Sequence, residues 1–534
     1  MLGRLDALRP DTAISLGLLL DESARRAPES PALLYGDRVL RRREVKHRID
    51  GVVAGLLAVG VRPGERVGVL MDSRPSAFCV VAAISRIGAC AVLLRTAERD
   101  CDREIGLGRA GIVVCDPEHV PSAPPATGRW CVLGGASDER ELPGFVTDLE
   151  TIDPATVHLP GWYRANPTRA ADEALVLFSG HGGRTRARVI TNRRWALSAL
   201  GTASAAELDP THTVYSATPL EHSSSQLMAV AGAIASGARL AFASAPDVET
   251  FWSEVRRYGA THVSYAWSSL RDVASGLEHP HERHHSIRIF MGSGMPPNLW
   301  RRTVERFAPA RVLEFYASAD GEAVLANVAD RIGSVGRPLP GTARVRIAAF
   351  DERTRGIAFD RDGFARECEP GEPGLLLARD DSGAPGPDTL RAVFSADDAW
   401  RSTGDLFVRD PTGEYWFIDD ADALIRTVDG LVAPARVAQV LQRISGVDTA
   451  RVVGRDGDVV AAVTLLPGAQ LSGWELTSAL RRLPAKQRPP TVTVVDPVSF
   501  PTPWSRPPDL DGPVDGPTWA HRPDGTYAPT SEDA

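Results

Sequence analysis

The run Ser179-Gly180-His181-Gly182-Gly183-Arg184-Thr185-Arg186 follows directly on the apolar segment ALVLF, 174–178. A strand that opens into a glycine-rich turn brings backbone N–H groups close to phosphate oxygens. Gly-Lys-Ser/Thr is absent, so the turn is not of the Walker type, and taken alone it is only a turn. Four more runs stand downstream of it. Gly292-Ser293-Gly294-Met295-Pro296 follows IRIFM, and Glu314-Phe315-Tyr316-Ala317-Ser318-Ala319-Asp320-Gly321 follows RVL. Gly333-Ser334-Val335-Gly336-Arg337-Pro338-Leu339-Pro340-Gly341 comes next, and Trp400-Arg401-Ser402-Thr403-Gly404-Asp405-Leu406 leads into a turn over Asp410 to Tyr415.

The intervening sequence supplies the scaffold. Short apolar runs such as VGVL and CAVLL alternate with helical-period stretches, including a helix from Arg43 to Gly60. Further strands are expected at 174–178, 238–243, 262–267, 287–292 and 311–316. Their repetition predicts an α/β fold with largely parallel sheets. After Trp416 the pattern restarts as a smaller unit, with RVAQVLQRI as a helix and RVVGR and VVAAVTLL as strands. DDSGAPGPD reads as a surface loop, and the Pro-rich tail from Phe500 as irregular chain. The opening 26 residues read as an amphipathic helix, lacking the basic start, long apolar core and cleavage site of a signal peptide.

At 534 residues more than one domain is expected. A net charge of −8 argues against a general nucleic-acid or membrane-surface binder. The six cysteines form no Cys-x-x-Cys pair, which suggests reduced thiols and a cytoplasmic protein. The run His279-Pro280-His281-Glu282-Arg283-His284-His285 fits no standard zinc spacing and reads as a solvated loop. Only Lys46 and Lys486 are lysines among 60 basic residues.

The order and spacing of the five motifs resemble the adenylate-forming superfamily, in particular its acyl-CoA synthetase branch of fatty-acid-transport and very-long-chain type. The resemblance runs from about Ser15 to the final GPTWAHRPDGTYAP. It implies a large N-terminal domain of stacked sheets, 1–417, and a small mobile α+β C-terminal domain, 418–534. It also implies ATP and Mg²⁺ as cofactors and two half-reactions: an acid attacks ATP to give an acyl-AMP, and a thiol, CoA in most of the branch, displaces AMP.

Carried over by position, Ser179, Gly180, His181, Gly182, Gly183 and Arg186 resemble the phosphate-binding loop. Gly292, Ser293, Gly294, Glu314, Phe315 and Tyr316 resemble the adenine site, with Tyr316 stacking on the base. Asp405 matches the carboxylate that accepts the ribose hydroxyls. Asp320 stands where the family has a magnesium-binding Glu, one methylene shorter. His222, in TPLEHSSS, matches a histidine beside the substrate pocket, and a pocket-wall role is as open as a catalytic one. Arg426 resembles a nucleotide-contacting arginine.

The chain departs from the pattern at several points. Arg186 stands for the usual loop lysine and keeps its charge. Ala319 replaces a threonine, and Asp420 an arginine, at the hinge. Ser505 takes the place of the C-terminal lysine that bridges carboxylate and α-phosphate, which leaves Arg506 as the nearby cation. A preorganised cation there is worth roughly 3 kcal/mol of barrier. The leading expectation is therefore an adenylate-forming ligase acting on a carboxylic acid. The two rivals are a nitrite-activating enzyme that forms a diazo or N–N bond on an amine, and a non-catalytic nucleotide binder.

Overall fold

The computed structural model describes residues 8–96, 101–123, 128–135, 141–180, 182–244, 247–318, 323–380, 388–455, 457–496 and 516–530. Its contacts divide the chain into two compact units, residues 1–269 with 278–292, and residues 270–277 with 293–534.

The first unit is built on parallel sheets, as the apolar runs predict. One sheet has seven strands in the order Val146–Asp148, Arg129–Val132, Ile112–Cys115, Arg66–Leu70, Cys90–Leu93, Glu173–Ser179 and Arg186–Thr191. All pairs are parallel except the last, where Arg186–Thr191 returns antiparallel against Glu173–Ser179. Strands such as Cys90–Leu93 and Ile112–Cys115 are buried at every residue, which explains their unbroken hydrophobicity. Helix Pro75–Ile87 connects two of them; Pro75 starts it without wasting an N–H, and left-handed Gly88 ends it.

In a second sheet of this unit, His262–Ala266, Thr213–Ser216, Arg239–Phe242 and Pro31–Tyr35 run parallel, and Arg38–Arg41 closes the edge as a hairpin. The first helix covers only Leu16–Arg26, not the whole opening segment. Pro10 precedes it, and the Ser15 side chain accepts from the Leu18 N–H, so the helix begins where its cap stands. Trp267 opens helix Trp267–Ser275 and does not extend the preceding strand.

The second unit is mainly antiparallel. Arg311–Ala317 pairs with Val324–Ala326. A six-stranded sheet contains Val345–Asp351, Pro373–Arg379, Ala399–Arg409 and Tyr415–Asp420 as consecutive antiparallel neighbours. A five-stranded sheet begins Val447–Arg455 and Asp458–Leu465, and helices Pro434–Leu441 and Gly473–Leu480 belong to the same region. One hydrophobic core, from Val432 through Leu441, Val463, Leu480 and Val492 to Trp519 and Tyr527, holds this region together. The tail corrects the expectation of irregular chain: Thr518–His521 and Tyr527–Pro529 are strands, because Trp519 and Tyr527 are buried in that core.

All six cysteines are free thiols, five of them buried and Cys101 half-buried. Burial pushes the Cys79 and Cys90 thiols up to about 12, so they are inert at neutral pH. Among the described residues no helix is long and apolar enough to cross a membrane.

Candidate functional site

In the first unit the glycine-rich run is the loop of an antiparallel hairpin, with Ser179 and Arg186 facing each other at its base. Gly180 and Gly182 have φ of +73° and +51°, conformations that favour glycine. A β-carbon at Gly182 or Gly183 would meet no atom within 4 Å, so one face of the loop is open.

Two arginines absent from the sequence reading grip this loop from behind. Arg95 donates from Nη1 to the Gly180 carbonyl at 2.7 Å and from Nη2 to Thr185 Oγ1 at 3.4 Å. Arg103 donates to the Gly183 carbonyl at 2.9 Å. Glu104, 1% exposed, fixes Arg95 through Oε1, which accepts from Nε at 2.6 Å. The Gly180 and Gly183 carbonyls are thus both taken up by cations. Arg186 is exposed at the start of the return strand, with no ion-pair partner among the described residues. His181 lies outside the described residues.

His222 sits in the same unit, in a turn rich in hydroxyls. Its Nδ1 lies 2.6 Å from Ser224 Oγ, which in turn lies 3.0 Å from Thr218 Oγ1. Burial holds the imidazole down at about 4, so it is neutral at physiological pH and can accept or donate. Its neighbour Glu221 was not singled out from sequence. Burial raises that carboxyl to about 7, against hydrogen bonds from the Glu221 and Thr96 backbone amides. Burial thus keeps the imidazole neutral while leaving the Glu221 carboxyl half-protonated near neutral pH.

Gly292 tolerates no side chain, since a β-carbon would lie 2.6 Å from the Tyr265 carbonyl oxygen and ring. Ser293 is exposed, and Gly294 turns the chain at φ +76°. Beyond that turn, the Met295 N–H donates to Glu314 Oε1 at 3.1 Å. Glu314 is buried, so it braces the Gly292–Pro296 turn from strand Arg311–Ala317. Phe315 points into the core, and Tyr316 on the other face is half-buried.

The Tyr316 hydroxyl donates to Asp405 Oδ2, and its ring meets Phe407 edge to face at 4.8 Å between centroids. Burial first, and then the Asp405 charge, push the Tyr316 hydroxyl well above its ordinary range. Asp405 stands on Ala399–Arg409, opposite Asp420 on the neighbouring strand. Beside it, Asp419 is buried and accepts from the Ala435 N–H at 2.6 Å and the Asp420 N–H at 3.0 Å. Asp419 thereby ties strand Tyr415–Asp420 to the first turn of helix Pro434–Leu441, a link the sequence reading missed. Burial raises its carboxyl to about 6. Arg426 is exposed on the small hairpin of Ile425–Thr427 and Gly430–Val432. Asp320, Ser505 and Arg506 lie outside the described residues.

In the histidine run, His279 pairs with Glu249 at 2.8 Å and stacks on Trp252, while Arg256 lies 3.0 Å from His281.

A parallel α/β scaffold with a glycine-rich hairpin in the first unit, and a carboxylate–tyrosine pair in the second, are in keeping with a nucleotide-handling protein. Residues 20–386 match the family of AMP-binding enzymes, and the chain belongs to that family. It is an adenylate-forming ligase. It is 29% identical to the medium/long-chain-fatty-acid–CoA ligase FadD6 of Mycobacterium tuberculosis, over 91% of this chain and 83% of that protein. It is 25% identical to long-chain fatty acid transport protein 2 of Rattus norvegicus, over 90% of this chain and 82% of that one. The solved structure of a benzoate CoA ligase from Burkholderia xenovorans LB400 shares the fold, with a TM-score of 0.72 at 18% identity, covering 92% of this chain and 97% of the other.

Proposed function

We propose that the protein joins a carboxylic acid, a medium- or long-chain fatty acid, to AMP and then passes the acyl group to the thiol of CoA. The observation that carries this reading is the hairpin Ser179–Arg186, whose Gly180 and Gly183 carbonyls are taken up by Arg95 and Arg103, and whose amides in this reading face a polyphosphate. The relatives named above, fatty-acid ligases and transport proteins aligned along most of the chain, support the acid as substrate.

In this reading the acid's carboxylate oxygen attacks the α-phosphorus, and the α–β phosphoanhydride bond breaks to release pyrophosphate. Arg186 spreads its charge over the leaving phosphates, in the place of the family's lysine. Asp405 accepts from the ribose hydroxyls, Tyr316 lies against the base, and Gly292, Ser293 and Gly294 shape the adenine pocket. Mg²⁺ needs few protein ligands when phosphates supply the rest, and one hard carboxylate oxygen at Asp320 suits it. His222, neutral and tied to Ser224, lines the acid's approach. Residues 418–534 act as the lid, a reading supported by the hydrophobic core that its residues share, with Arg426 and Arg506 as its cations.

The test is pyrophosphate release with ATP and Mg²⁺ against fatty acids of graded length and aryl acids, with and without CoA. Acid-dependent release, and acyl-CoA found by mass spectrometry, are expected. Release with no acid tested, alongside turnover of nitrite and an amine, overturns the proposal.

A further inference from the structure

The strand order makes Arg66–Leu70 a point of reversal in the seven-stranded sheet. The chain leaves it through helix Pro75–Ile87 to Cys90–Leu93 on one side, then crosses by helix Cys101–Gly108 to Ile112–Cys115 on the other. Open parallel α/β sheets take ligands in the crevice at the carboxyl ends of two such diverging strands. Asp72 stands two residues beyond the end of the first strand, and Asp116 immediately beyond the end of the second. His119 follows within the same loop.

One donor atom from each of Asp72, Asp116 and His119 lies within 4.8 Å of the other two. His119 Nε2 is 2.9 Å from Asp72 Oδ1, and the Asp72 N–H donates to Asp116 Oδ2 at 2.7 Å. Asp116 is fully buried; its Oδ1 receives no hydrogen bond and faces Arg74 Nη1 only at 3.7 Å. A buried carboxylate oxygen without a donor is costly, and such groups are found paired or bound to metal. A β-carbon added at Gly134 would stand 3.7 Å from that oxygen and 3.6 Å from Ser76 Oγ. Arg74 lies 3.0 Å from Asp72, 3.7 Å from Asp116 and 3.3 Å from Glu118. One guanidinium among three carboxylates leaves two negative charges over, the charge a divalent ion brings.

We propose that Asp72, Asp116 and His119 form a divalent-cation site at this crevice, separate from the nucleotide's magnesium. Two carboxylates with one imidazole suit borderline Zn²⁺, or Mn²⁺, which accepts an imidazole more readily than Mg²⁺ does. The ion replaces the His119–Asp72 contact and gives Asp116 Oδ1, which faces only the more distant Arg74 Nη1, a direct bond. The site also has a route to the chemistry, because Ser73 Oγ accepts from the Leu220 N–H at 2.7 Å. Fixing Asp72 therefore steadies the turn that carries Glu221 and His222. The phosphate-loop strand Glu173–Ser179 is two strands from Arg66–Leu70 in the same sheet, or about 10 Å.

The experiment titrates Mn²⁺ into chelator-treated, nucleotide-free full-length protein, by calorimetry and by the electron-spin signal of free Mn²⁺. One bound ion and a melting temperature that rises with Mn²⁺ are expected. His119→Gln and Asp116→Asn should each weaken binding by about tenfold or more, and Asp320→Asn should leave it unchanged. His119, at the rim, keeps the test open if Asp116→Asn fails to fold. Absence of binding at millimolar Mn²⁺ or Zn²⁺, binding untouched by His119→Gln, or binding abolished by Asp320→Asn each overturns the proposal.

Discussion

The hydroxyl of Tyr316 donates to the carboxylate of Asp405, joining strand Arg311–Ala317 to strand Ala399–Arg409, which belong to different sheets. The carboxylate proposed for the ribose is therefore already held by the ring proposed for the base. Asp405→Ala removes both functions and should weaken ATP binding by about 2 kcal/mol. Tyr316→Phe removes only the donor, and should lower stability by about 1–2 kcal/mol while leaving the carboxylate for the nucleotide. Calorimetry with ATP and Mg²⁺, set beside thermal melts, separates the two; unchanged affinity in Asp405→Ala contradicts the ribose assignment.

Arg95 and Arg103 should separate stability from nucleotide handling. Arg95→Ala leaves Glu104 buried without its ion partner and should cost about 3 kcal/mol, read from urea unfolding. Arg103→Ala loses an exposed bond to the Gly183 carbonyl, so it should cost less stability than Arg95→Ala and raise the KM for ATP. Equal unfolding midpoints for the two variants count against this division.

Arg186 holds no core, so Arg186→Ala should lower kcat far more than the melting temperature. Turnover preserved within about threefold would place the phosphate-facing cation elsewhere, with Arg506 the next to test.

Asp419 and His222 give opposite slopes to stability against pH. The Asp419 carboxyl rises from 3.8 to about 6 in the folded chain, so the native state holds its proton longer than the unfolded one. Its contribution is complete below pH 3.8 and lost as pH rises to about 6, a difference of about 3 kcal/mol. The His222 imidazole falls from 6.5 to about 4, so its contribution is complete above pH 6.5 and lost as pH falls to about 4. Asp419→Asn removes the titration and one acceptor, so its melting temperature relative to wild type should be higher at pH 7 than at pH 4. Parallel melting curves for the two proteins across that range exclude the assignment.

The serine at 505 offers a gain-of-function test. Ser505→Lys should speed fatty-acid-dependent pyrophosphate release by about tenfold if the lid closes over the reacting groups. A rate unchanged or lowered shows that Arg506 or another cation already serves there.

Local chemistry was legible in the sequence, and distant partnership was not. ALVLF running into glycines announces a strand and a turn because both are written in adjacent residues. Arg95 and Arg103 grip that turn from 85 and 80 positions away, and nothing in their own neighbourhoods marks them. Glu314 looked like part of a nucleotide motif, but only the fold shows its carboxylate bracing Met295. The tail misled for the opposite reason. Its prolines and glycines argue for irregular chain, yet Trp519 and Tyr527 gain more by burial in a core assembled from 432 onward. Asp419 carried no signal beyond being one acid among several, since its partner is the backbone of a helix that sequence places only roughly.

The distribution of cysteines gives the protein a built-in reporter. Five thiols are buried, so a maleimide fluorophore at neutral pH should find Cys101 alone among them. Cys101 opens helix Cys101–Gly108, and two residues on, Arg103 holds the phosphate hairpin by Gly183. A dye placed there, without any engineered residue, would ride on the helix that feels the hairpin fill and empty. Its emission would then time nucleotide arrival and pyrophosphate departure within a single turnover.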